Sequence, residues 1–124
     1  MDANMNRNMI IVLLLLAAFL PVTLLADEKK SLTKVPFKFA LGQQKFQAMC
    51  SACHGKWGDG SDQGPPLMHS FYKPSHHGDS TFYKAVSRGV RAHHWNFGDM
   101  PPVIGATSTD IDAILAFVRW LQKE

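Results

Sequence analysis

Cys50-Ser51-Ala52-Cys53-His54 is the stretch on which the reading of this chain turns. Two thiols stand in a C-x-x-C spacing, with a histidine directly after the second. Each thiol can add to one vinyl group of a haem, and the adjacent imidazole is then placed to bind the iron from one face. Such a tether also keeps the haem from being lost outside the cytoplasm. Other uses of the pair fit less well. A thioredoxin-like redox pair needs a strand–helix–strand context, and no strand alternation is sustained here. A zinc ribbon needs a second ligand pair, which His69, His76, His77, His93 and His94 supply only at an unusual spacing. A structural disulfide would strain a helical C-x-x-C and leaves His54 unexplained. With two cysteines in all, the chain can build neither a four-cysteine zinc site nor an iron–sulfur cluster.

Around this pentad, the 124 residues leave room for one small domain. A composition of 46% hydrophobic and 19% charged residues excludes long intrinsic disorder, and a net charge of +3 is too small for a basic nucleic-acid binder. No nucleic-acid partner is expected. Upstream, Phe39, Ala40, Phe46 and Met49 recur at helical spacing, so Phe37–Ser51 reads as a helix that delivers the cysteines. Downstream, Gly55–Pro74 is rich in Gly, Pro, Asp and Ser and reads as loop. Asp79 or Ser80 is placed to cap a short helix with Phe82, Ala85 and Val86 on its apolar face, stopping at Gly89. His93–Thr107 is irregular again, broken by Pro101, Pro102 and Gly105. Thr107 and Asp110 have capping-box spacing, and Ile111, Ile114, Leu115, Val118 and Leu121 form one face of a final helix. The expectation is an all-α fold of about three main helices and long loops. Loops that long in so small a domain imply something among them to be wrapped.

The amino terminus reads separately. Met1–Asn8 is polar with Arg7 as its basic side chain, Ile10–Leu20 is apolar without a break, and Asp27–Lys30 is charged. That is the layout of a secretory signal with its cut after Ala26. The run from Met9 to Ala26 also meets the length of about 17–25 residues that an uncleaved membrane anchor needs. Residues 1–26 are therefore a signal peptide or an anchor, residues 27–36 a polar lead-in, and residues 37–124 the domain. Both readings place the domain in the periplasm or on the extracytoplasmic face of the membrane. Met1, Met5 and Met9 are all candidate starts.

Four pieces together resemble the class I, single-haem c-type cytochromes, over about Phe37–Gln122. They are the attachment motif running into Gly55, the loop Gly64-Pro65-Pro66-Leu67, the dipeptide Met100-Pro101, and a helix pair matched at Gly42, Phe46, Ile114 and Phe117. The resemblance implies a small cytochrome c fold wrapped around one covalent haem c per chain, attached at Cys50 and Cys53. It implies His54 as the proximal iron ligand, its ring N–H accepted by the carbonyl of Pro65. It implies Met100 as the distal iron ligand, in a loop stiffened by Pro101 and Pro102. Haem propionates need donors where they are partly buried, and Trp95, Arg88 and Arg91 are candidates. Met49 and Met68 read as core or edge.

The implied activity is one-electron transfer between a donor and an acceptor protein, with no catalytic residue. The contact with such partners is expected to be small and transient, and clustered lysines can steer it toward an acidic patch. Two other classes stay open. One is a haem-based gas sensor or small redox enzyme with a displaceable sixth ligand; the other is a haem subunit of a larger oxidase or dehydrogenase. The paired histidines His76-His77 and His93-His94 also stay open, as a second imidazole for the iron, a copper or zinc site, or loop surface.

Overall fold

The segment that delivers the cysteines folds as a helix in three pieces. A 3-10 turn at Phe37–Phe39 leads into α1 (Ala40–Met49), and after a break at Cys50 the short α2 (Ser51–His54) holds the rest of the motif. The break has a local cause. Ser51 donates its hydroxyl to the carbonyl of Gln47 at 2.7 Å, a back-bond of the kind that bends helices. These features come from a computed structural model that describes residues 35–123. The candidate signal or anchor at residues 1–26 lies outside the described residues.

Two further helices follow. α3 (Asp79–Arg88) ends at Gly89, whose φ of 77° only glycine adopts without strain. The expectation that Asp79 or Ser80 caps α3 is corrected: Gly78 occupies the cap, without a side-chain bond. Asp79 is the first helical residue instead. There its charge suits the helix dipole, and its carboxylate meets the Arg119 guanidinium at 2.9 Å. α4 (Ser108–Leu121) begins with the expected capping box. The Thr107 hydroxyl accepts the Asp110 N–H at 3.2 Å, and the Asp110 carboxylate accepts the Thr107 N–H at 3.1 Å.

α1 crosses α4 in the main helix–helix contact. Gly42 makes the crossing possible, since a Cβ there would lie 2.1 Å from the carbonyl oxygen of Ala113. One turn on, Phe46 and Phe117 are fully buried with ring centroids 5.5 Å apart and planes tilted by 58°. Around them Leu67, Ile114, Val118 and Leu121 complete the central cluster, and Met49 and Met68 pack at its edge as expected. Among the described residues there is no strand. Their one extended pairing is an isolated antiparallel bridge between Val90 and Met100, again among the described residues.

Candidate functional site

Cys50, α2, α3, α4 and the two long loops line a cavity of about 1060 Å³, counting its open mouth. Leu67, Phe82, Ala85, Val86 and Val118 make much of its wall apolar. Cys50, His54 and Met100 supply soft and borderline donors to the same wall, and His77, His93, His94 and Trp95 line it as well.

His54 is buried. Its Nδ1 donates to the carbonyl of Pro65 at 2.9 Å, and a carbonyl can only accept, so the tautomer is fixed with the free lone pair on Nε2. Burial pushes the His54 pKa down, and the Pro65 bond opposes that only in part. The ring is therefore neutral near pH 7, as a ligand must be. The loop that brings Pro65 is clipped to α2. Ser61 donates its hydroxyl to the Cys53 carbonyl at 2.6 Å, the Gly60 N–H reaches the His54 carbonyl at 2.7 Å, and Leu67 N–H reaches Gly58 at 2.8 Å. Gly64 sits so close that a Cβ there would lie 2.8 Å from the Cys53 carbonyl oxygen.

Cys50 and Cys53 form no disulfide with each other. Cys50 is half-buried and lines the cavity, whereas Cys53 is exposed and outside the lining. Burial, then the neighbouring Cys53, pushes the Cys50 thiol up to about 11. Before haem is attached it therefore stays protonated at neutral pH and is a weak nucleophile by itself.

Met100 is held by its backbone. Its N–H and C=O pair with the C=O and N–H of Val90 at 2.8 and 2.9 Å. Gly89 allows this approach, because a Cβ at Gly89 would lie 2.4 Å from the Met100 carbonyl oxygen. Asp99 adds a bond from its carboxylate to the Ala92 N–H at 2.9 Å, and Val103 N–H reaches Val86 at 2.8 Å. The methionine loop is thus tied to the end of α3.

The propionate candidates separate. Trp95 lines the cavity, and its indole N–H is buried near the Tyr72 hydroxyl without reaching hydrogen-bonding geometry. Arg88 and Arg91 are exposed and outside the lining. Arg119 is the basic residue in the wall, and the sequence reading did not single it out. Its guanidinium donates to the Tyr72 carbonyl at 2.7 Å, the His77 carbonyl at 2.8 Å, Gln122 at 2.8 Å and Asp79 at 2.9 Å. Gln122, also missed, donates to the carbonyls of Leu67 at 2.8 Å and Tyr72 at 3.0 Å. These bonds span 40 to 55 positions of chain, apart from the local one between Arg119 and Gln122, so no local spacing announces them.

An apolar cavity with a fixed neutral imidazole, a thioether and a cysteine thiol in its wall fits a haem held through sulfur and nitrogen. An all-helical domain with such a site defines a haem-bearing electron-transfer protein. The Cytochrome c family model matches residues 39–122, and the chain belongs to that family. Haem c is accordingly its covalently attached cofactor, and Cys50 and Cys53 fit the attachment motif. No curated protein and no solved structure matches the chain. Cytochrome c domains are typically extracytoplasmic, and among the described residues no helix is long and apolar enough to cross a membrane.

Proposed function

We propose that this protein is a one-electron carrier of the periplasm, or of the extracytoplasmic membrane face, with His54 and Met100 as axial ligands. The observation that carries this reading is the His54–Pro65 bond, which directs the lone pair of a buried neutral imidazole away from the loop, in a cavity that Met100 also lines. Bound haem supplies an iron that accepts and releases one electron. Cys50 and Cys53 tether it, Met100 offers a soft thioether that favours the reduced state, and the Trp95 N–H is a donor for a propionate. Arg88 and Arg91 lie outside the wall and are weaker candidates for that role. With His54 and Met100 both engaged, no position is left for substrate, so the protein acts as a carrier and not as an enzyme. Residues 1–26 export the domain, as a cleaved signal or a retained anchor. Its partners are a donor and an acceptor protein that meet it through a small, short-lived contact.

A second reading has its own support. His77, His93 and His94 line the same cavity, so an imidazole could replace the thioether and lower the potential. Optical spectra of the oxidised and reduced protein separate the two. His/Met ligation gives a weak sulfur-to-iron band at the red end of the oxidised spectrum; two imidazoles give none. Rapid binding of carbon monoxide by the reduced wild type would instead favour the sensor or enzyme class.

A further inference from the structure

Three histidines at the wall of the haem cavity, two of which (His77 and His94) line it, have an arrangement that electron transfer does not require. The candidate ligand nitrogens of His76, His77 and His94 all lie within 4.8 Å of one another. Their rings form a near-equilateral triangle, with centroids 4.7 Å apart for His76–His77 and 5.3 Å for each of the other two pairs. A metal–nitrogen bond of about 2.0–2.1 Å, extended by roughly 1.1 Å to the ring centre, puts tetrahedrally disposed imidazoles about 5.2 Å apart. The triangle already has that size.

The surroundings prepare the rings as ligands. His77 donates its Nδ1–H to the Phe71 carbonyl, which leaves the lone pair on Nε2, and such a bond is the usual support of a metal-bound imidazole. The Phe71 ring stacks on His94 at 4.3 Å with an interplanar angle of 22°, fixing its plane. The His94 Nε2 atom is buried and makes no hydrogen bond among the described residues, a costly state for a polar atom unless something else satisfies it. His76 is exposed, so an ion has a path in and room for a water ligand. Neighbouring histidines are engaged otherwise: His69 Nδ1 accepts the Phe71 N–H at 3.3 Å, and His93 Nδ1 donates to the Arg91 carbonyl at 2.8 Å.

We infer that His76, His77 and His94 form a second metal site, for one borderline divalent transition ion of the zinc(II) or copper(II) class, at the wall of the haem cavity on the side where His76 meets solvent. Three neutral nitrogens without a carboxylate or thiolate suit these ions and not calcium or magnesium, which take oxygen ligands. Copper(II) binds more tightly than zinc(II) at such a donor set. The site rests on Met100 serving the haem iron, since that leaves His77 and His94 free.

The test uses the full haem-loaded protein, dialysed separately against zinc(II) and copper(II) and analysed for metal per haem. The expected result is one ion per haem, nitrogen coupling in the copper(II) electron paramagnetic resonance spectrum, and an unchanged sulfur-to-iron band. His76→Ala, a surface change whose folding is checked by circular dichroism, should weaken binding by about ten-fold or more. His77→Gln, measured in parallel, should do the same. Failure to retain an ion while the sulfur-to-iron band is intact overturns the metal site alone. So does unaltered affinity in the folded His76→Ala and His77→Gln proteins. A starting protein that lacks the band overturns Met100 ligation and, with it, the freedom of these histidines.

Discussion

On the proposed ligation, loss of Met100 separates a carrier from a ligand binder. Its thioether is positioned by backbone, through the pairing with Val90 and the close approach at Gly89, so shortening the side chain leaves the loop in place. We therefore expect Met100→Ala to fold, to lose the sulfur-to-iron band, and to bind carbon monoxide in the reduced state. Its reduction potential should fall by about 0.1 V or more, a modest part of the ~0.8 V range over which axial ligands set haem potentials. Spectroscopy and a redox titration check both. Retention of the native spectrum in Met100→Ala, with its loss in His94→Ala, would assign the iron to an imidazole. At this scale the site is unevenly legible. The pentad is readable because its chemistry sits in contiguous residues, whereas Pro65, 11 positions from His54, is readable only through the family resemblance of its loop. Arg119 is not: its partners at Tyr72, His77 and Asp79 come together only when α4 packs, and a single arginine on a helix looks the same whether it is solvated or clamping three segments.

The elements draw their stability from two local devices that can be tested apart. The first is the crossing of α1 and α4 at Gly42. Any side chain there drives into the Ala113 carbonyl and the Phe117 Cβ, which would lie 2.1 and 2.8 Å from an added Cβ. Gly42→Ala should cost about 1–3 kcal/mol as an overpacked site. For a domain of this size that lowers the melting temperature by about 4–8 °C per kcal/mol, readable by circular dichroism. The second device is the start of α4. Asp110 hydrogen-bonds Lys45 at 2.8 Å and Thr107, and these bonds, led by Lys45, pull its carboxyl from 3.8 down to about 2. A depressed carboxyl stabilises the fold above its ordinary pKa and loses that contribution as the pH falls through the folded value. Asp110→Asn should therefore flatten the acid side of the stability curve between about pH 4 and pH 2, measured by denaturant titration at each pH. Only part of this is visible in sequence: the capping box is a short-range pattern, Gly42 is picked out by the family resemblance, and the Lys45–Asp110 pair forms only when α1 packs on α4. The start of α3 is not visible there, because Asp79 looks like a cap until Arg119 is seen to hold it inside the first turn. Nor is the break at Cys50, which turns on a hydroxyl bonding back to Gln47.

Over the whole molecule, the buried apolar side chains divide unequally. Among the described residues, α4 supplies Ile111, Ile114, Leu115, Phe117, Val118 and Leu121 to the interior, whereas α3 supplies Val86 alone. Phe82 and Ala85 of α3 face the cavity instead. α3 is also joined to the rest through Phe82 at the edge of the core cluster, through the backbone bonds of Val86 and Val90 to the methionine loop, and through the Arg119–Asp79 pair, where Asp79 is 63% exposed and an ion pair so open to water contributes little. The domain therefore has one self-sufficient contact, α1 on α4, and a second layer whose apolar partner is the occupant of the cavity. A small domain is marginal even with a complete core, so cofactor binding and folding should be one event. Cys50→Ala/Cys53→Ala protein made without haem should keep part of its helical signal, from α1 and α4. It should show no fixed aromatic packing in the near-ultraviolet and no cooperative unfolding in urea, the behaviour of a collapsed but unspecific state. The haem-loaded wild type should unfold in a single sharp transition under the same conditions. A cooperative transition in the haem-free protein would mean that α3 finds enough burial without a cofactor, and that the cavity is a preformed receptacle and not a missing part of the core.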